Sequence, residues 1–252
     1  MTSAAVVLSF ANPAYKTIEI KPTTATDNEM TLSIAAWDQA TGQLGAVIAS
    51  SSISVSSRCL HWRPGTGIAL SQNITDPRLG PRMLALLADG VEVDAAIEAV
   101  VHSTPYINYR QLGLIDRNGA TARFTGDAVL GCFASAEGGH CVAAGNLLAN
   151  DSVPAAMVAS FEQSSGSFGT RLLAALSAGV EAGGEAGPLH SAGMLIGGEP
   201  SWPLAELRID WDDAPIVKMT AGWAVYEAQI DDYVKRAYNP EQAPSYGVPG
   251  DP

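Results

Sequence analysis

Thr31 directly follows Met30 and opens the run Thr31-Leu32-Ser33-Ile34-Ala35-Ala36. A threonine hydroxyl is a weak nucleophile at neutral pH, and a neighbouring α-amine, with a reference pKa near ~8, can activate it without a histidine. In a chain beginning at Thr31, nucleophile and base would belong to one residue. An initiator methionine is commonly trimmed before a residue as small as threonine, so translation starting at Met30 would give that chain. Self-cleavage is the less favoured route, because a strained turn before the nucleophile calls for a flexible residue such as glycine and Met30 is not one.

Other chemistries have less behind them. There is no G-x-S-x-G elbow and no P-loop, and Gly65-Thr66-Gly67 lacks the third glycine and following helix of a dinucleotide fingerprint. His61, His102, His140 and His190 carry no local signature of a Ser-His-Asp site. Cys59 with His61, and the adjacent pair His140-Cys141, do not have the spacing of a zinc site, so no metal and no organic cofactor is expected.

The elements that must position Thr31 can be read from pattern. Leu32 to Trp37 and Leu44 to Ala49 flank Asp38-Gln39-Ala40-Thr41-Gly42, a hairpin whose strands are apolar or small on both faces, as in a sheet covered on both sides. Further strands are expected at Cys59 to Arg63, Ile68 to Gln72, Gln111 to Asp116, Thr121 to Thr125, Ser191 to Ile196 and Leu204 to Ile209. Helices are expected around Pro81 to Gly90, from Glu92 to about Val101, at Val153 to Glu162, at Gly169 to Ser177, and as one amphipathic helix over Trp223 to Tyr238. Strand blocks alternating with helix blocks, with hairpins inside the strand blocks, suit an α+β fold of antiparallel sheets layered with helices. Residues 1–29 sustain neither period and read as an extension; residues 31–210 form the main domain, and 211–252 a C-terminal helix with a proline-rich tail.

The chain has 252 residues, 47% of them hydrophobic, enough for one large core. Its formal charge of -12 argues against nucleic acid and for small-molecule partners or copies of itself. No apolar run approaches the ~18 residues of a membrane span, and the three cysteines are an odd number, so a reducing cytoplasmic setting is the default. The apolar stripe of the C-terminal helix, Trp223, Val225, Tyr226, Ile230, Tyr233 and Val234, must be buried on the chain's own core or in a homo-oligomer.

From Thr31 to about Asp210 the chain resembles the DUF1028 family of the N-terminal nucleophile (Ntn) hydrolase superfamily. The resemblance lies in Ser33-Ile34-Ala35 with Asp38, Thr41-Gly42 and Gly45; in Ala49-Ser50, Ser71-Gln72, Gly80-Pro81-Arg82 and Arg110-Gln111; and in Thr125-Gly126, Gly145-Asn146, Gly183-Gly184 and Ser191-Ala192. It implies a four-layer α-β-β-α sandwich and makes Thr31 the nucleophile of an amidohydrolase that cleaves a carbon-nitrogen amide bond in a small metabolite. Ser50 then orients the nucleophile, and Ser71, Gln72 and Asn73 support the oxyanion, although those three also read as a polar strand end before the Asp76-Pro77 turn. Arg110, with a fork suited to a carboxylate, Gln111, Asn146, His190 and Ser191 are the substrate-binding candidates; Arg110 reads equally as a surface ion pair and Gly145-Asn146 as a turn. Ser51 stands where the family often has arginine, which puts a carboxylate clamp at residue 51 in doubt, and the segment after Gly183-Gly184 departs from the family pattern, which points to a different substrate specificity. The rival expectation is a binding or assembly protein whose threonine stays covered by residues 1–29, because a fold does not establish an activity.

Overall fold

The structure is a computed structural model that describes residues 6–8, 18–20, 31–184 and 186–248. Two short strands, β1 (Val6–Leu8) and β2 (Ile18–Ile20), pair antiparallel with each other. The extension therefore contains one strand pairing that its sequence pattern did not reveal; the rest of it lies outside the described residues.

Ten further strands make two antiparallel sheets. They are β3 (Thr31–Asp38), β4 (Gln43–Ser50), β5 (Leu60–Arg63), β6 (Gly67–Asn73), β7 (Arg110–Asp116), β8 (Thr121–Thr125), β9 (Ala134–Gly138), β10 (Cys141–Asn146), β11 (Ser191–Gly197) and β12 (Ala205–Ile209). One sheet has the order β12-β11-β4-β3-β10-β9, the other β5-β6-β7-β8. The β3–β4 turn closes as its residues suggest: the Thr41 hydroxyl donates to Asp38 Oδ2 at 2.6 Å, and Gly42, at φ 71°, takes the left-handed conformation that a side chain would resist.

Three apolar layers hold the sandwich together. Leu32, Ile34 and Ala36 of β3 pack against α4 (Val153–Gln163) and α5 (Phe168–Glu181). The alternate residues turn the other way, so Ala35, with Ala46 and Ile48 of β4, meets Ile68, Leu70 and Ile115 of the second sheet. That sheet's outer face, Ala69, Leu112 and Leu114, is covered by α2 (Leu79–Ala88) and α3 (Val93–Ser103). The result is the α-β-β-α order of a four-layer sandwich. A five-residue helix, α1 (Val55–Cys59), puts Val55 and Cys59 into the layer between the sheets.

Two expectations need correction. The segment Trp223 to Tyr238 is not one helix: α6 runs Pro215–Tyr226, a 3-10 turn spans Glu227–Gln229, and α7 runs Ile230–Tyr238. Pro215, compatible with a first turn, starts α6 early, and Met219 and Trp223 bury its inner face, whereas α7 buries no residue. The tightened turn separates two helices with different surroundings. The second miss is larger. β9 and β10 were passed over although β10 lies beside β3, because Ala143-Ala144-Gly145 offers little strand propensity.

Candidate functional site

The strand pairing creates one row of polar side chains. Ser191 lies opposite Ser50, Ser50 opposite Thr31, and Thr31 opposite Asn146, so four strands each place one polar residue at the same level. Because their apolar neighbours Ala49, Leu32 and Ala192 face the helices, these residues face the space between the sheets. Ser191, Ser50 and Asn146 are fully buried and Thr31 is 5% exposed.

Hydroxyls on one side of Thr31 connect it to a cation. Thr31 Oγ1 is 3.3 Å from Ser50 Oγ, which is 2.9 Å from Ser52 Oγ. Arg58 Nη2 donates to Ser52 Oγ at 2.9 Å, and its other terminal nitrogen donates to the Ile53 carbonyl. A guanidinium can only donate, so Ser52 Oγ accepts from Arg58, while in the Ser52–Ser50 and Ser50–Thr31 contacts either hydroxyl can be the donor. Ser191 holds this loop in place by donating to the Ser52 carbonyl at 2.6 Å and accepting from the Val55 amide at 3.2 Å. Arg58 has no ion-pair partner among the described residues.

On the other side lies a buried amide network. Gln111 Nε2 donates to the carbonyls of Ala134 and Gly145 at 3.1 and 3.2 Å, and to Thr125 Oγ1 at 3.3 Å. Backbone carbonyls only accept, so the Gln111 amide has one allowed orientation and its Oε1 must face Gln72 and Asn146. Gln72 Nε2 and Asn146 Nδ2 donate to that oxygen at 2.8 and 3.4 Å, and Ser33 Oγ donates to Gln72 Oε1 at 2.6 Å. Two carbonyls thus orient three side-chain amides. The network ends at Asn146 Oδ1, which is buried and has no donor.

Thr31, Ser52, Arg58, Cys59, Asn73, Ile74, Thr75 and Leu130 enclose a cavity of about 180 Å³. Asn73 ties its rim together: Nδ2 donates to the Tyr109 carbonyl at 2.6 Å, and Oδ1 accepts from the Leu130 amide at 3.2 Å. Asn73 at φ 71°, Ser54 at φ 53° and Leu147 at φ 52° are non-glycine residues in the left-handed region. Such strain persists only where surrounding contacts enforce it, and here it borders the row and its loop. A hollow of about 530 Å³ near Asp38, His140, Glu162 and Arg171 is larger, but its arginine is bonded to Asp38 at 2.8 Å and it contains no hydroxyl or thiol nucleophile.

Of the residues singled out by sequence, Thr31, Ser50, Asn146 and Ser191 share the row, and Gln72 and Gln111 face it from the second sheet. Three lie elsewhere. Ser71 alternates with Gln72 and turns to the outer face, where its hydroxyl donates to the Asp76 carbonyl at 3.1 Å. Arg110 lies on the same outer side, where the Asp76 carboxyl is held low chiefly by its hydrogen bond from Arg78 and to a smaller extent by the charge of Arg110. His190 stacks on Trp211 with ring centroids 4.4 Å apart, and its Nδ1 is 3.6 Å from Asp213. Sequence reasoning missed Ser52 and Arg58 and gave Ser33 and Cys59 no role at the site; Arg58 is the first cation after the hairpin, a signal obscured by the serines around it.

Among the described residues no group of three or more His, Cys, Asp and Glu side chains gathers as a metal site, and no helix is long and apolar enough to cross a membrane. No curated protein matches the chain. A solved structure, protein SPO2555 from Silicibacter pomeroyi, is similar at 32% identity with a TM-score of 0.75, covering 82% of this chain and 91% of that one. Anbu (ancestral beta-subunit) from Yersinia bercovieri is 13% identical with a TM-score of 0.38, over 81% of this chain and 97% of that one. The family described as a family of unknown function, DUF1028, matches residues 31–219, so the chain belongs to the DUF1028 family.

Proposed function

We propose that this protein is an amide hydrolase in which Thr31, as the first residue of the working chain, is the nucleophile. The observation that carries this reading is the Thr31 hydroxyl at the head of β3, lining a small cavity and touching a hydroxyl series that ends on a cation. The Thr31 oxygen attacks the substrate carbonyl while its proton passes to its own α-amine. The amine returns that proton to the leaving nitrogen as the carbon-nitrogen bond breaks. Water then attacks the resulting ester, releasing a carboxylic acid and restoring the hydroxyl. Of the three oxyanion candidates, Asn73 is the one that lines the cavity. Arg58 supports a substrate that carries a carboxylate beside the amide, a role the sequence departure at Ser51 had put in doubt.

The test uses two proteins, one beginning at Thr31 and one retaining the preceding residues, against a panel of small amides with and without a carboxylate. Hydrolysis only by the first, lost in Thr31→Ala, is the expected result. Turnover at the parental rate by Thr31→Ala would move the site elsewhere.

A further inference from the structure

We infer that Asn146 is a positioning residue whose side-chain oxygen accepts a hydrogen bond from the α-amine of Thr31 once that amine is free. The inference rests on the proposed role of Thr31 and adds a partner for its base. Its first support is the fixed direction of the amide network. Since Gln111 is oriented by the Ala134 and Gly145 carbonyls, Asn146 must present its NH2 to Gln111 and its oxygen elsewhere. That oxygen is buried with no donor. Buried polar groups are seldom left this way, and one at a candidate site points to a donor that arrives later.

The second support is the ladder. Trp37 donates its amide to the His140 carbonyl at 3.0 Å, which marks that opposed pair as hydrogen-bonded. Such pairs recur at every second residue in an antiparallel ladder, and counting back along the β3–β10 register makes Thr31 and Asn146 another. The nitrogen of Thr31 therefore points towards β10, whereas its hydroxyl contacts Ser50 on β4. An amide nitrogen has a single hydrogen, which the ladder uses. A free amine has at least one more, and directly opposed side chains have Cβ atoms only ~5 Å apart. The open acceptor thus matches the hydrogen that appears when the chain begins at Thr31.

Holding the amine this way fixes its lone pair relative to the hydroxyl it must deprotonate. The charged or titratable groups lining the cavity are Arg58 and Cys59, both on α1; Asn73, Ile74, Thr75 and Leu130 add none, and Gln72 and Gln111 behind the row are neutral. Arg58 disfavours the ammonium form, and an acceptor at Asn146 favours it.

The test needs no substrate. Trace acetylation of the Thr31 amine, read by peptide mass across a pH series, gives its titration midpoint in the chain beginning at Thr31. Asn146→Asp places a carboxylate where the amide oxygen was and is expected to raise the midpoint by ~1 unit or more, a tenfold change, while Asn146→Ala lowers it. Midpoints equal to the parent in both variants would overturn the inference. Should Asn146→Asp fail to fold, Asn146→Ala is compared by thermal melting in the two chains. A larger loss in the chain beginning at Thr31 supports the inference, and equal losses overturn it. Among the described residues the three apolar clusters are built from residues after Thr31, and melting of the shortened chain checks that it is folded. Either result leaves amide hydrolysis to be judged by the turnover assay.

Discussion

With nucleophile and base in one residue, as proposed, Thr31 would be sensitive to small changes. Thr31→Ser keeps the nucleophile but loses the methyl that restricts its χ1 rotamers, so reduced turnover is expected, against loss of turnover in Thr31→Ala. Melting of Thr31→Ala should stay close to the parent. Turnover should rise as the α-amine loses its proton, near pH ~8 for an unperturbed amine. Arg58→Met tests the cation: it removes the charge while keeping an unbranched stem. With carboxylate-bearing amides it should raise KM about tenfold or more, the scale of a lost charge-assisted hydrogen bond, and with neutral amides it should not. Equal effects on both substrate types would make Arg58 a brace for the 52–53 loop only.

Elements decide which of these residues meet. The end of β6 is secured by the turn into α2: the Asp76 carbonyl accepts from the Leu79 amide at 3.1 Å, and its carboxylate accepts from Arg78 Nη2 at 2.7 Å. The hydrogen bond from Arg78 holds the Asp76 carboxyl down at about 2. A carboxyl whose folded pKa lies below its unfolded value adds stability above the ordinary carboxylate range and loses it as pH falls towards the folded value. Melting of Asp76→Asn should therefore trail the parent at neutral pH and converge with it between pH ~4 and ~2. The gap should narrow in high salt, because the Arg78 side chain is 82% exposed. Within the second sheet, Gln111→Leu would strand the side-chain amides of Gln72 and Asn146. Each stranded group costs about 1–3 kcal/mol, so a marked loss in denaturant midpoint is expected where a surface glutamine would show almost none.

The sequence made the β3–β4 hairpin legible through Asp38 and Gly42, and with it the position of Thr31 at a strand head. It could not say which of Ser71 and Gln72 faces inwards, since alternation gives two faces without naming them. Only the partner sheet decides that, and it selects Gln72 through Ser33. Asn146 looked like a turn because its strand consists of small residues whose strand form is enforced by neighbours on both sides. Arg58 stayed hidden because α1 is too short to show a helical period and is held by its place between the sheets.

At the scale of the whole molecule, α6 completes the large sheet's outer layer. Trp223 packs so closely over Gly169 that a Cβ there would lie 2.3 Å from the indole. Gly169→Ala should therefore lower the melting temperature although alanine favours helices, and Trp223→Ala should cost about 3–5 kcal/mol, as for other buried aromatics. Both changes lie on the helical side of the sheet, away from Thr31, so turnover per folded molecule should persist.

The row of polar side chains also bears on how the chain finds its pairing during folding. Small strands such as Ala35-Ala36 against Gly45-Ala46 discriminate poorly between neighbouring alignments, because one small residue fits where another did. A one-residue slip of β3 would turn Thr31 and Ser33 towards the helices and push Leu32 against the side-chain amides of the second sheet. That arrangement strands hydrogen-bonding groups on one side and removes leucine from its layer on the other. The polar row therefore penalises misaligned sheets, and substitutions that make it apolar would be expected to slow refolding.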